Sequence, residues 1–125
     1  MNNDVIVLYV EDEQTIREDM VEILELDFNH IYVASNGAEG LEMFLKHHPD
    51  LIISDIQMPV MDGISMSKEI LSVNPDAKII LTTAFNEQGY LEKAKEAGVK
   101  SYVKKPVNIN ELFEKIEAVI ASKKE

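Results

Sequence analysis

Residues Val5–Val10 read Val-Ile-Val-Leu-Tyr-Val, six apolar positions in succession and mostly β-branched. A strand wetted on one face alternates apolar with polar residues. An unbroken run is expected of a strand covered on both faces, as in a parallel sheet flanked by helices. Leu51–Ile53 and Ile79–Leu81 repeat the signal. His30–Ser35 and Val99–Val103 mix apolar and polar residues instead, which predicts partly covered strands at the sheet edges.

Helical periodicity fills the intervals. In Gln14–Leu26, Ile16, Met20, Ile23 and Leu24 fall on one face, predicted to pack on the sheet. Ala38, Leu41, Phe44 and Leu45 mark a second helix and Ile64–Val73 a third. Leu91, Ala94 and Ala97 mark a weaker fourth that Gly98 ends. The fifth has Asn108 as cap with Glu111 three residues on, Val107 and Leu112 placed for a staple, and a stripe through Ile109, Leu112, Phe113, Ile116 and Ile120.

Five strands alternating with five helices make βαβ units, whose right-handed crossovers lay helices on both faces of one sheet. With strands two and five outermost, the order is 2-1-3-4-5. The predicted fold class is therefore α/β: a doubly wound, five-stranded parallel sheet in a flavodoxin-like (βα)5 three-layer sandwich. Ligands of such sheets bind at the carboxyl ends of the strands, where the order reverses.

The 125 residues, 46% hydrophobic, suit one domain over 1–125. The absence of cysteine excludes a disulfide framework, thiolate metal ligands and a cysteine nucleophile. No apolar run approaches the ~20 residues that cross a bilayer, and Met1-Asn2-Asn3-Asp4 lacks the basic and apolar parts of a signal peptide, so a cytoplasmic protein without membrane insertion is expected. A net charge of -11 opposes direct binding to nucleic acid.

Strand one ends in Glu11-Asp12-Glu13, strand three in Asp55, strand four in Thr82-Thr83 and strand five in Lys104-Lys105-Pro106. All converge on one edge of the predicted sheet. Carboxylates about 4 Å apart repel by roughly 1 to 4 kcal/mol, so a cation is expected among Glu11, Asp12 and Asp55. Hard oxygen ligands beside a lysine suit Mg²⁺ and phosphoryl chemistry. Each element has a plainer reading: Glu11–Glu13 and Asp62-Gly63 as helix caps, Thr83 as a strand former, Lys105 as a surface charge. Their conjunction shifts the balance toward a site.

That conjunction resembles the response-regulator receiver domain, the CheY-like phospho-acceptor module of two-component signalling. The likeness rests on the acidic pair Glu11-Asp12, the block Asp55-Ile56-Gln57-Met58-Pro59-Val60-Met61-Asp62-Gly63, Thr83-Ala84 and Lys105-Pro106, and it spans essentially the whole chain. It implies that Asp55 accepts a phosphoryl group from the phosphohistidine of a sensor histidine kinase or phosphotransfer protein. It implies further that Glu11, Asp12, Asp55 and the Gln57 backbone carbonyl hold Mg²⁺, that Lys105 pairs with Asp55 and then with the phosphoryl group, and that a cis Pro106 follows. Thr83 would bond the phosphoryl group and Tyr102 would be the aromatic switch, remodelling the surface of helix four, strand five and helix five for a downstream target or output domain. The domain would be no enzyme beyond assisting its own phosphorylation and dephosphorylation.

Glu11 stands where Asp is commoner in the family, and Gln57 and Phe85 occupy variable positions that border the phosphate. Three rivals are weighed. An Asp-nucleophile phosphatase of the haloacid-dehalogenase type wants a second Asp where Gln57 stands, a flavin or nucleotide carrier wants a Gly-rich loop after strand one, and a degenerate docking receiver would lack phosphorylation residues. His30, His47 and His48 are read as surface residues, and Met58, Met61 and Met66 as packing. No output domain is expected within the 125 residues, whether the protein stands alone or continues.

Overall fold

A computed structural model describes residues 2–84 and 88–123. Strands and helices alternate: β1 (Asn2–Val10), α1 (Gln14–Leu24), β2 (Phe28–Ala34), α2 (Gly37–His47), β3 (Leu51–Asp55), α3 (Gly63–Val73), β4 (Lys78–Thr83), α4 (Gln88–Ala97), β5 (Ser101–Lys104) and α5 (Ile109–Lys123). The strands form one parallel sheet in the order β2-β1-β3-β4-β5. Fold class and strand order are those read from the sequence.

Strand pleating explains the continuous apolar runs. Val7, Tyr9, Leu51, Ile53 and Ile80 enter the core shared with Met20 and Leu24 of α1 and Leu112 and Ile116 of α5. Leu8, Val10, Ile52, Ile79 and Leu81 enter the opposite core with Phe44 of α2, Ile64, Met66 and Ile70 of α3, and Ala94 of α4. Every second residue faces the other layer, so both must be apolar. Met66 is fully buried and Met58 and Met61 pack at the same core's margin, in keeping with the packing role expected of them.

Several local expectations need correction. Ile16, in the first turn of α1, is 39% exposed, and the buried face of this helix is carried by Met20 and Leu24, one and two turns further on. Leu45 is 49% exposed: the adjacent Phe44 takes the inward direction, about 100° away around the helix. α1 stops at Leu24 in a tightening turn, with Leu26 N–H on Ile23 and Asp27 N–H on Leu24, and β2 starts early enough to bury Phe28. β5 starts at Ser101 because Gly98, at φ 101°, and Val99 close α4, donating to the Lys95 and Ala94 carbonyls in a Schellman arrangement. His47 is half-buried, its ring stacked 3.8 Å from that of Tyr32. Phe85, part of the basic pair Lys123-Lys124 and the end of the chain lie outside the described residues.

No helix among the described residues is long and apolar enough to cross a membrane.

Candidate phospho-acceptor site

Register brings the strand ends together. Val10 lies opposite Ser54, Asp55 opposite Thr82, and Thr83 opposite Lys104. The chain leaving each strand therefore empties onto one edge, and Lys105, whose backbone N–H donates to the Thr83 carbonyl at 2.7 Å, sits one residue beyond the last pair.

Asp55 is buried at the end of β3. Its Oδ1 accepts from the Ile56 N–H at 2.8 Å and its Oδ2 from Lys105 Nζ at 2.8 Å. The ion pair is lopsided in exposure, with the Lys105 side chain one-third exposed and that of Asp55 one-tenth. Behind it the Ser54 hydroxyl donates to the Asp55 carbonyl at 2.8 Å.

Glu11, Asp12 and Asp55 each present a carboxylate oxygen within 4.8 Å of the others. Glu11 is almost wholly buried, and burial pushes its carboxyl up to about 7, with the Asp55 charge adding to the rise and the Glu13 backbone N–H and Lys105 opposing it. Burial and the same two carboxylates also push the Tyr9 phenol up, keeping it protonated. Such a group of hard oxygens could hold a cation: opposite ligands of one octahedral Mg²⁺ stand about 4.2 Å apart, close to the observed spread. Glu11 Oε2 also accepts from the Glu13 N–H at 3.1 Å, which fixes the turn before α1; Glu13, the N-cap residue, makes no side-chain capping bond, so the capping reading of Glu11–Glu13 does not hold.

The other predicted residues divide. Asp62 caps α3, its Oδ1 accepting from Ser65 N–H at 2.7 Å. Gly63 donates to the Ile56 carbonyl at 2.8 Å, and a Cβ there would run into the Asp55 carbonyl, so only glycine lets the helix start this close to the end of β3. Thr83 is buried, its hydroxyl 3.5 Å from the Ala84 carbonyl, a separation at which little hydrogen bonding remains. The Lys105–Pro106 peptide bond is cis. Tyr102 lies opposite Leu81, two residues short of Thr83, and packs at the margin of the α2–α3–α4 core; it stands back from the carboxylates. Gln57 is exposed and its side chain bonds Tyr90.

Three contributors were not read from the sequence. Ser54 had a signal, a hydroxyl interrupting the apolar run just before Asp55. Arg17, which donates to the Glu11 carbonyl at 2.8 Å, and Tyr90 had none, since each reaches the site only through folding.

The β3–α3 loop is held at several points. Gly37 N–H donates to the Met61 carbonyl and Met61 N–H to the Pro59 carbonyl, at 2.8 and 2.7 Å. Val60 takes φ 69°, a conformation that costs a β-branched residue of order 1–3 kcal/mol and persists here within that frame.

Comparison with known proteins agrees with this geometry. Residues 7–117 match the model of the response regulator receiver domain. The chain is 39% identical over 116 residues to the transcriptional regulatory protein PdtaR of Mycobacterium tuberculosis, covering 92% of this chain but 56% of that protein, so it spans about half the length of this relative. It is 35% identical over 116 residues to the chemotaxis protein CheY of Halobacterium salinarum, covering 93% of this chain and 97% of CheY. Its fold superposes with a TM-score of 0.86 on CheY of Borrelia burgdorferi, solved as a CheX–CheY–BeF3–Mg²⁺ complex, at 25% identity and covering 94% of this chain and 90% of that one. The buried Asp55, the acidic group, the lysine partner and the matched sequence converge on one assignment: the chain belongs to the response-regulator receiver family.

Proposed function

We propose that Asp55 accepts a phosphoryl group from a phosphohistidine on a sensor histidine kinase or phosphotransfer protein. The observation that carries this reading is the buried Asp55 carboxylate held 2.8 Å from Lys105 Nζ beside Glu11 and Asp12. One carboxylate oxygen of Asp55 attacks phosphorus, the phosphorus–nitrogen bond breaks, and its electron pair leaves with the imidazole. A carboxylate nucleophile has no proton to give up as it attacks, so the transfer needs no separate general base. Catalysis of such a transfer is mainly positioning and charge stabilisation. Glu11, Asp12, Asp55 and the Gln57 carbonyl are the residues that would hold Mg²⁺, Glu11 through water. When bound, the ion supplies positive charge against the phosphoryl oxygens and relieves the repulsion among the carboxylates. Lys105 supplies the second positive charge. Water later hydrolyses the acyl phosphate, returning Asp55 and inorganic phosphate, and the signal is temporary.

Phosphorylation adds about 1.5–2 negative charges. Thr83 and Lys105, each contributing roughly 1.5–3 kcal/mol through a hydrogen bond to the phosphoryl group, approach the ~5.5 kcal/mol that inverts a 1:99 equilibrium. The weakly bonded Thr83 hydroxyl is free to turn toward that group, and Tyr102 follows into the vacated space, changing the α4–β5–α5 surface for a downstream target or output domain. Gln57 in place of a second Asp speaks against the phosphatase rival.

Incubation with Mg²⁺ and acetyl phosphate, followed by intact mass, tests the reading. The wild type should gain one labile phosphoryl adduct and Asp55→Asn none; an unchanged adduct on Asp55→Asn overturns the assignment. Thr83→Ala should keep the adduct and lose phosphorylation-dependent partner binding.

A further inference from the structure

Thirty-three residues separate Gln57 from Tyr90 in sequence, yet the Gln57 side-chain amide donates to the Tyr90 hydroxyl at 3.0 Å. Gln57 follows Asp55 by two residues, so their Cα atoms lie within about 7 Å, inside the reach of a glutamine side chain. Tyr90, in the first turn of α4, is half-buried. Its ring packs at the margin of the α2–α3–α4 core, lines the cleft between α3 and α4 with Ile64 and Ser65, and has the Lys93 ammonium 6.0 Å from its centroid. The phenol is thus anchored on the helix side while its hydroxyl holds the loop of the acceptor.

We infer that Gln57 is a further phosphoryl-contacting residue and Tyr90 its positioning partner: the amide is latched to Tyr90 while Asp55 is free, and passes to a phosphoryl oxygen once Asp55 is loaded. This inference rests on the phospho-acceptor reading. The direction follows from bond strength. A hydrogen bond to an ionised oxygen is roughly twice as strong as a neutral one, and the Gln57–Tyr90 bond is neutral and exposed to competing water. The exchange breaks no covalent bond and moves no proton. It frees Tyr90 from the loop, so α4 receives the state of Asp55 by a route separate from Thr83 and Tyr102.

Because the latch competes with the phosphoryl group, removing it should tighten binding of a phosphoryl mimic. The test is titration of the Mg²⁺-loaded protein with beryllofluoride, followed by amide NMR, in wild type, Tyr90→Phe, Gln57→Ala and the double variant. Tyr90→Phe keeps the ring and its packing. It should bind the mimic about threefold more tightly than wild type, as expected for loss of one weak neutral bond. In the Gln57→Ala background the Tyr90→Phe change should have no effect, and the Gln57 side-chain amide of wild type should shift on binding. Equal affinities of wild type and Tyr90→Phe, or the same Tyr90→Phe effect with and without Gln57, overturn the latch and leave the phospho-acceptor reading intact. A wild type that takes neither beryllofluoride nor an acetyl phosphate adduct overturns both.

Discussion

Ile53 and Asp55 lie two residues apart on β3, project to the same face and are both buried, yet their surroundings have opposite physics. Ile53 meets Val7, Tyr9, Leu24 and Leu112 in an apolar core held by water exclusion and close packing. Asp55 meets Lys105 and the carboxylates of Glu11 and Asp12, a group whose like charges oppose their own assembly. One strand thus carries both a stabilising half and a half that concentrates charge. The core beneath supplies the rigidity that keeps the charged group assembled.

Truncation of the core half should have the largest effect on stability. Ile53→Ala should destabilise the fold by about 2–5 kcal/mol in urea denaturation. A much smaller loss would mean that β3 is not anchored by packing and would break the contrast.

The charged half should reveal itself through pH. The Glu11 carboxyl titrates near 7 in the folded protein against an ordinary 4.5. Below pH 4.5 folded and unfolded chains both carry this proton, and the group contributes nothing. Between 4.5 and 7 the folded state binds more protons, so stability falls as pH rises, and above 7 the penalty is complete. Metal-free wild type should therefore lose unfolding free energy, read by urea denaturation, from pH 5 to 7.5 more steeply than Glu11→Gln, by up to about a few kcal/mol. Mg²⁺ should flatten the wild-type slope, since a cation favours the ionised carboxylate. Parallel slopes for the two proteins would show that Glu11 does not carry the penalty.

Asp62→Ala offers the smallest and most local change. Loss of the α3 cap should cost about 1 kcal/mol by denaturation while leaving the acetyl phosphate adduct in place. Loss of the adduct at that modest cost would place Asp62 among the acceptor's supports.

Legibility followed the range of the interactions. Covered strands, the Asn108 cap, whose side chain accepts from Glu111 N–H at 3.0 Å, and the stop at Gly98 were readable because each rests on near neighbours in the chain. The exposure of Ile16 and Leu45 was not, since periodicity gives a helix a face but not the extent of the sheet beneath it. The late start of β5 depended on Val99 donating back into α4.

By itself the sequence determined the alternation of strands and helices, the sheet order and the set of residues at its carboxyl edge, because hydrophobic period and chain connectivity leave few topologies open. The pairing of Lys105 with Asp55 was expected from the family resemblance, and the fold realises it across fifty residues; tertiary structure alone decided that Arg17 braces the acidic loop and that Gln57 meets Tyr90. Those contacts join side chains whose separation is set by strand register and helix packing, quantities that no local pattern encodes.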